Sequence, residues 1–298
     1  MSKRNPNAIR SSRGDQVFTV ICYVIATLVL LIVAYPLYFV IIASFSDPAQ
    51  VTLGRVLLLP RGFNIEGYQF ILGYKDIWTG YANTLFVTVV GTAGAVILTS
   101  LGAYALSKPC FPHRIFWTFF VIFTMYFNAG LIPHYLWRNQ IHLMNNRLVL
   151  ILPVLVSAYN LIIMRNFFQQ VPKEMEEAAF IDGASDFQTF RLVVLPTSLP
   201  IIATIALWVA VYHWNAWFDC MVYMKDTSKM VVQVVLQRII SDGTASMTRD
   251  QQQYSDFVPK PETLKAACVY VTTLPILCIY PFVQKYFVKG IYIGSLKG

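Results

Sequence analysis

Residues 177–183, Glu177-Ala178-Ala179-Phe180-Ile181-Asp182-Gly183, decide how this chain is organised, and nine residues later comes Val193-Val194-Leu195-Pro196. The first stretch lies in a charged segment, 172–191. On either side are apolar runs, 148–168 and 192–214, each with the roughly 20 residues that a helix needs to cross a bilayer. A charged segment between two such runs must face water.

The local sequence of 172–191 predicts a helix, a glycine elbow and a second short helix. Pro172 fits the first turn, where its missing N–H loses no hydrogen bond, and the three glutamates after it favour the positive end of the helix dipole. Gly183 predicts the end of that helix, because glycine readily takes the left-handed conformation of a helix cap. Ser185 and Gln188, three residues apart, predict a capping box that starts the second helix.

The apolar side chains of these two helices leave two interpretations open. They can fold back onto the chain's own membrane helices, as apolar loop residues usually do, or they can be covered by another protein. The side chains are Met175, Ala178, Ala179 and Phe180 on the first helix, with Phe187 and Phe190 on the second.

The spacing of this region resembles a family signature. E-A-A, three residues, G, nine residues, an aliphatic residue, one residue, L-P is similar to the signature of the membrane-spanning subunits of bacterial ABC importers. Valine replaces the usual isoleucine at Val193. The resemblance implies that this is the coupling helix, which docks into a groove on a separate ATP-hydrolysing subunit. The residues it assigns to ATPase coupling are Glu177, Ala178, Ala179, Gly183, Leu195 and Pro196.

The composition indicates an integral membrane protein. The 298 residues are 56% hydrophobic and only 13% charged, with a mean hydropathy of +0.55, against about a quarter charged in ordinary globular chains. The cysteines are odd in number and have neither metal-ligand nor disulfide-framework spacing, so we interpret them as small core residues. They are Cys22, Cys110, Cys220, Cys268 and Cys278.

Six apolar runs are long enough to span a membrane. The sequence therefore predicts an all-α integral membrane protein with six transmembrane helices, and the resemblance implies the type I ABC importer permease fold. The runs are 17–45, 81–107, 115–137, 148–168, 192–214 and 266–288.

Six spans place both termini on one side of the membrane, and the basic tail 1–16 indicates that this side is the cytoplasm. We then expect a permease domain over 17–288 whose coupling loop, 169–191, is cytoplasmic, as is the tail 289–298. The loops 46–80 and 218–265 are expected outside. Only 12 of the 23 basic residues fall inside in this arrangement, so the total does not orient the protein. The resemblance agrees with the orientation, because the coupling loop must meet a cytoplasmic ATPase.

Small residues four apart form a stripe on the second run: Gly91, Ala95, Thr99 and Ala103. Such a stripe lets helices approach closely, either within this chain or between subunits. Near the end of the fifth run, Tyr212, Trp214 and Trp217 predict an interfacial aromatic belt, and the lone His213 among them is no evidence of a proton relay.

Four asparagines lie within or at the ends of the runs, where an amide must be hydrogen-bonded or face water. They are candidates for lining a polar translocation path, and the alternative is that they only join helices. They are Asn83, Asn128, Asn160 and Asn215.

The carboxyl end strengthens the resemblance. The stretch 284–290, Gln-Lys-Tyr-Phe-Val-Lys-Gly, with Gly294 and Lys297-Gly298, is similar to the end of the carbohydrate-uptake subgroup, the MalG-like permeases. Tyr35-Pro36, Ser44-Phe45-Ser46 and residues 128–133 look most like the LplC/YtcP-type oligosaccharide permeases within that subgroup. The resemblance implies a bacterial cell membrane protein with three partners. These are a second homologous permease subunit in a heterodimer, an ATP-binding-cassette ATPase dimer, and an extracellular solute-binding protein that delivers a sugar or oligosaccharide.

The chain has no G-x-x-x-x-G-K-[ST] phosphate loop and no catalytic triad or carboxylate pair. We therefore expect no enzymatic activity and no cofactor or metal in this chain, with ATP and Mg bound by the partner ATPase. Nothing indicates a nucleic-acid partner.

Two other classes of protein make predictions that this sequence can be compared with. An ion-coupled secondary transporter should carry intramembrane carboxylates, and none of the six runs contains Asp or Glu. A structural protein or lipid-modifying enzyme should show a charged cluster at the interface, and none is evident. The ABC permease is the interpretation retained.

Overall fold

The computed structural model describes residues 13–127, 129–242 and 263–278, and these ranges contain helices and no β-strand apart from an isolated bridge between Ser46 and Phe63. The first eight helices are α1 Arg13–Ser44, α2 Pro48–Thr52, α3 Glu66–Gly73, α4 Lys75–Ser107, α5 Arg114–Tyr126, α6 Leu131–Gln140, α7 Leu148–Ile151 and α8 Ala158–Phe168. The others are α9 Lys173–Ile181, α10 Asp186–Thr189, α11 Leu195–Thr197, α12 Leu199–Trp214, α13 Trp217–Tyr223, α14 Val232–Asp242 and α15 Thr263–Cys278. A π-helical turn, Phe190–Val194, joins α10 to α11.

The chain divides into two compact units. Among the described residues, the first comprises 13–70 and 263–270, and the second comprises 71–127, 129–242 and 271–278. In the first unit, α1 exposes its apolar side chains along most of its 32 residues, as expected of a helix whose surroundings are lipid. Near its end the rings of Phe45 and Tyr68 stack at 4.9 Å, and the hydroxyls of Ser44 and Tyr68 lie 2.6 Å apart.

The second unit is built around α4, which packs against α8, α12 and α14. The small-residue stripe of α4 is buried and makes these contacts possible, so the stripe serves packing within the chain. At Gly91 a side chain would place its Cβ only 2.3 Å from Nε2 of His213 on α12. The surrounding core consists of Ala95, Ala103, Met164, Phe168, Phe190, Val194, Ile205 and Val209.

The amino-terminal part of α4 is fixed to residues 228–235, and we call this contact the closed joint. The side-chain nitrogen of Asn83 donates to the carbonyls of Ser228 and Met230, both at 2.9 Å. The backbone N–H of Val232 donates to the Thr84 hydroxyl at 2.9 Å. Gly80 allows the close approach, since a Cβ there would lie 3.0 Å from Cα of Val232.

The predicted spans differ from the helices mainly in continuity. Within the part of the chain that the structure describes, α1 and α4 are the only helices long and apolar enough to cross a membrane unaided, and three bent helix pairs raise the number of candidate spans to five. The run 115–137 is divided between α5 and α6. The run 148–168 bends by 46° between its two helical parts. The sixth run, 266–288, is described only as far as Cys278.

The run 192–214 is broken at Ser198, where α12 turns by 81° from the helical segment before it. Pro196 and Pro200 permit this break, because they lack the N–H groups that would continue the helix across this point. The second predicted run differs in its start. The helix α4 begins at Lys75, inside the segment predicted as the outer loop 46–80. Ile77 and Gly80 are buried there, so packing extends the helix beyond the apolar run.

Candidate coupling surface

The coupling loop has the predicted helix, elbow and helix. Pro172 is the N-cap of α9 and does not enter its first turn. Asp182 is the C-cap, and Gly183, which follows it, has a φ of +81°. In the capping box, the Gln188 backbone N–H donates to the Ser185 hydroxyl at 3.4 Å, and the Ser185 N–H donates to Oε1 of Gln188 at 2.8 Å. This geometry arises from local residues alone.

In the structure, each of the two interpretations of the apolar residues holds for different side chains. Phe190 folds back and is 5% exposed, with its ring 4.8 Å from that of Tyr104. Met175, Phe180 and Phe187 remain at the surface, and together with the neighbouring Ile181 we call this group the coupling face. Ile181 is 86% exposed and Phe187 62%. A loop that is expected to face water and that leaves four large apolar side chains uncovered within the chain is typical of a protein-binding surface.

Within the chain, polar contacts connect the coupling loop to the last turn of α4. Lys108 forms an ion pair with Glu176 of α9, and its ammonium lies 4.4 Å from the ring centroid of Tyr104. The Tyr104 hydroxyl donates to the backbone carbonyl of Asp186 in α10 at 3.3 Å. Both helices of the loop therefore contact the carboxyl end of α4, through Tyr104 in its last turn and Lys108 directly after it.

A cavity of about 400 Å³ lies beside this contact. It is lined by Lys108, Arg114, Phe168, Glu176, Glu177 and Phe180, among others. Glu177 is exposed and forms no ion pair among the residues that the structure describes. The predicted coupling glutamate is thus open to an external group.

The remaining predicted coupling residues differ in their surroundings. Ala178 is exposed and Ala179 half-buried on α9. Leu195 packs against the core beside the π-helical turn, and Pro196 lies at the bend before α12. The coupling loop is thereby continuous with the helix that carries Val209 and His213 in the middle of the second unit.

Among the described residues, no hydrogen bond joins any two of the candidate translocation-path asparagines, and each has its own surroundings. Asn83 is 3% exposed and holds the closed joint. Asn160 is buried near the start of α8, where its backbone N–H donates to Ser157. The side chain of Asn215 donates to the Val211 carbonyl at 2.9 Å, at the end of α12. Asn128 lies outside the described residues, and a path role for any of the four stays a prediction.

The aromatic belt expected after α12 is only partly at the surface. Trp217 is exposed, but Trp214 is buried and its indole N–H donates to the carbonyl of Thr272 at 3.2 Å. His213 is fully buried, and neither ring nitrogen has a hydrogen-bond partner among the described residues. The carboxyl-terminal stretch 284–298 lies outside the described residues.

A helical membrane chain with an uncovered apolar coupling loop has the features of a transport permease subunit. Residues 106–291 match the family model described as binding-protein-dependent transport system inner membrane component. The chain belongs to this family of membrane permease subunits of ABC importers.

Among its relatives, the chain is 39% identical to the polygalacturonan/rhamnogalacturonan transport system permease protein YtcP of Bacillus subtilis (strain 168), over 95% of this chain and 99% of that protein. It is also 39% identical to Protein LplC of the same organism, over 88% of this chain and 89% of the other. A solved bacterial ABC transporter involved in the import of the acidic polysaccharide alginate has a similar chain, with a TM-score of 0.85, 36% identity and coverage of 94% and 99%. The predicted resemblance to LplC/YtcP-type permeases and the predicted all-α fold are confirmed.

Tyr104 and Lys108 belong to this site, but the sequence does not single them out. With six spans, residues 108–114 form a short loop after the second run, on the side of the membrane expected for the coupling loop. The signal available was the opposite charge of Lys108 and Glu176 in two loops expected to share one side. Nothing in the sequence selects Glu176 from its acidic neighbours.

Proposed function

We propose that this chain is one of two membrane-spanning subunits of an ATP-driven importer, through which a sugar or oligosaccharide delivered by an extracellular binding protein passes. The relatives support the substrate class, because YtcP is named for polygalacturonan and rhamnogalacturonan and the solved transporter for alginate. ATP and Mg are bound by a separate ATPase dimer, and the second membrane subunit is a homologous permease. In this proposal both termini and the coupling loop 169–191 face the cytoplasm.

The observation that carries the proposal is the exposed coupling face. Four large apolar side chains on a water-facing helix pair favour association, with about 25 cal/mol for each Å² of apolar surface that a partner buries. Glu177 beside them supplies a charge for a complementary group on that partner.

The mechanism follows from how the loop is built. Closure of the ATPase dimer pulls on α9, and the elbow at Gly183 transfers the displacement to α10. From there the movement reaches Leu195, Pro196 and α12, and the spans swing as packed bodies between inward-open and outward-open cavities. The close packing of α4 with α8 and α12 favours motion of packed units over bending within them.

Co-purification in mild detergent tests the proposal, with the tagged chain expressed together with its genomic neighbours. We expect an ATPase subunit and a second permease to accompany the wild type. The double variant Glu177→Lys, Gly183→Val should lose only the ATPase. A matched control, Glu66→Lys with Gly73→Val, makes the same kinds of change elsewhere and should keep both partners. If no ATPase accompanies even the wild type, the proposal is wrong and the secondary-transporter interpretation returns.

A further inference from the structure

We infer that Tyr104, in the last turn of α4, and Lys108, the residue that directly follows α4, latch the coupling loop to the end of this helix, so that α4 and the loop move as one body during ATP hydrolysis. The inference rests on the proposed function, since it concerns the transmission of that movement. It assigns a positioning role to two residues outside the family signature.

The latch has two points, one for each helix of the loop. Lys108 pairs with Glu176 of α9, and the two side chains are only 19% and 14% exposed. Tyr104 donates to the Asp186 carbonyl at the start of α10. Because Tyr104 lies in the last turn of α4 and Lys108 directly follows that turn, the carboxyl end of α4 holds both sides of the Gly183 elbow.

The two points reinforce each other. The Lys108 ammonium lies 4.4 Å from the Tyr104 ring centroid, so the ring limits the positions open to the lysine through a cation–π contact. The same ring packs 4.8 Å from that of Phe190, which is buried beneath the loop. An ion pair shielded from water in this way is screened less than an exposed one.

The end of α4 is itself hydrogen-bonded to α8, one of the helices that pack against it. Nε of Arg165 on α8 donates to the Leu106 carbonyl at 3.0 Å. A displacement of α9 therefore reaches α4 through Lys108 and α8 through Arg165. This route is parallel to the one through α12, and it enters the helix that packs against α8, α12 and α14.

The first test asks whether the ion pair holds the loop, with hydrogen exchange of residues 173–181 in the full chain as the readout. Lys108→Met should speed exchange there on the order of tenfold, as expected for loss of one charge-assisted hydrogen bond. Glu174→Gln is the matched control, because Glu174 lies on the same helix and forms no ion pair among the described residues. The charge exchange Lys108→Glu with Glu176→Lys should restore slow exchange. Unchanged exchange in Lys108→Met would overturn the latch.

The second test asks whether the two elements move together, which a merely structural contact would not require. A chain with its five native cysteines replaced by serine receives Lys108→Cys and Glu176→Cys, and the assembled complex is bridged by a short bismaleimide. ATP hydrolysis should stay within about twofold of that of the same complex treated with a monofunctional maleimide. If bridging alone stops hydrolysis, the two positions separate during the cycle and the inference is wrong. Failure of the ATPase to co-purify would instead overturn the proposed function.

Discussion

The two ends of α4 hold their neighbours in different ways. At the closed joint, Asn83 and Thr84 bind backbone groups of residues 228–232. Because Gly80 has no side chain, the α4 backbone can approach the backbone of Val232 closely. At the other end, the coupling loop is held by the two side chains of the latch while its apolar face stays uncovered. At the closed joint, the polar groups named here are bonded within the chain. At the coupling loop, the apolar side chains of the coupling face stay exposed, so a partner that moves the loop can bind there.

The first prediction tests how tightly the closed joint is packed around Gly80. Gly80→Val should lower the melting temperature strongly, because its side chain meets the Val232 backbone and overpacking costs about 1–3 kcal/mol. Gly73→Val is the matched control, since a Cβ at Gly73 meets no atom within 4 Å. Thermal unfolding of the two purified variants measures the difference. Equal stability would mean that the joint is not tightly packed.

The second prediction separates two asparagines. Asn83→Ala leaves the buried Met230 carbonyl and the part-buried Ser228 carbonyl without their donor and should destabilise the chain by about 2 kcal/mol. Asn215→Ala removes a bond to its own helix at an exposed position and should cost about 0.5 kcal/mol. Thermal unfolding again provides the comparison, and a larger loss for Asn215→Ala would contradict it.

The third prediction concerns the elbow of the coupling loop. Gly183→Val forces a β-branched residue to a φ of +81°, at a cost of about 1–2 kcal/mol. We expect normal insertion and an intact closed joint, with loss of ATP-driven uptake. Gly183→Asn should retain uptake, because asparagine tolerates the left-handed conformation. Normal uptake by the valine variant would count against the elbow.

The smallest effect is expected at the capping box. Ser185→Ala removes the acceptor for the Gln188 N–H and should cost about 1 kcal/mol, confined to α10. Faster hydrogen exchange limited to residues 186–190 would agree with this, and Ser185→Asp should reverse it. Faster exchange at residues 228–235 as well would mean that the two ends of α4 are not independent.

The sequence predicts contacts that depend on neighbouring residues much better than contacts between distant ones. The elbow at Gly183 and the box of Ser185 and Gln188 involve residues within a few positions, so their chemistry determines the geometry. The bonds of Asn83 join positions 145 and 147 residues apart, and the pair of Lys108 and Glu176 joins positions 68 apart. No local pattern identifies such partners.

Span continuity was unpredictable for another reason. Hydropathy sums apolar character over a window and is insensitive to a break inside it. The run 192–214 holds two prolines around Ser198, and the run 115–137 contains Gly130 at a φ of +81°. These residues permit a break, but whether a helix bends there depends on packing against other helices.

Cysteine labelling tests the contrast between the two ends most directly. A chain that keeps Cys220, has its other four cysteines replaced by serine, and carries Ile181→Cys reports both ends at once. Cys220 is fully buried in α13, its Sγ accepts the Val231 N–H, and burial raises the pKa of its thiol, so a maleimide should not reach it with or without the ATPase. Position 181 should label rapidly in the chain alone and at least about tenfold more slowly in the assembled complex. Equal labelling of position 181 in both states would contradict the account.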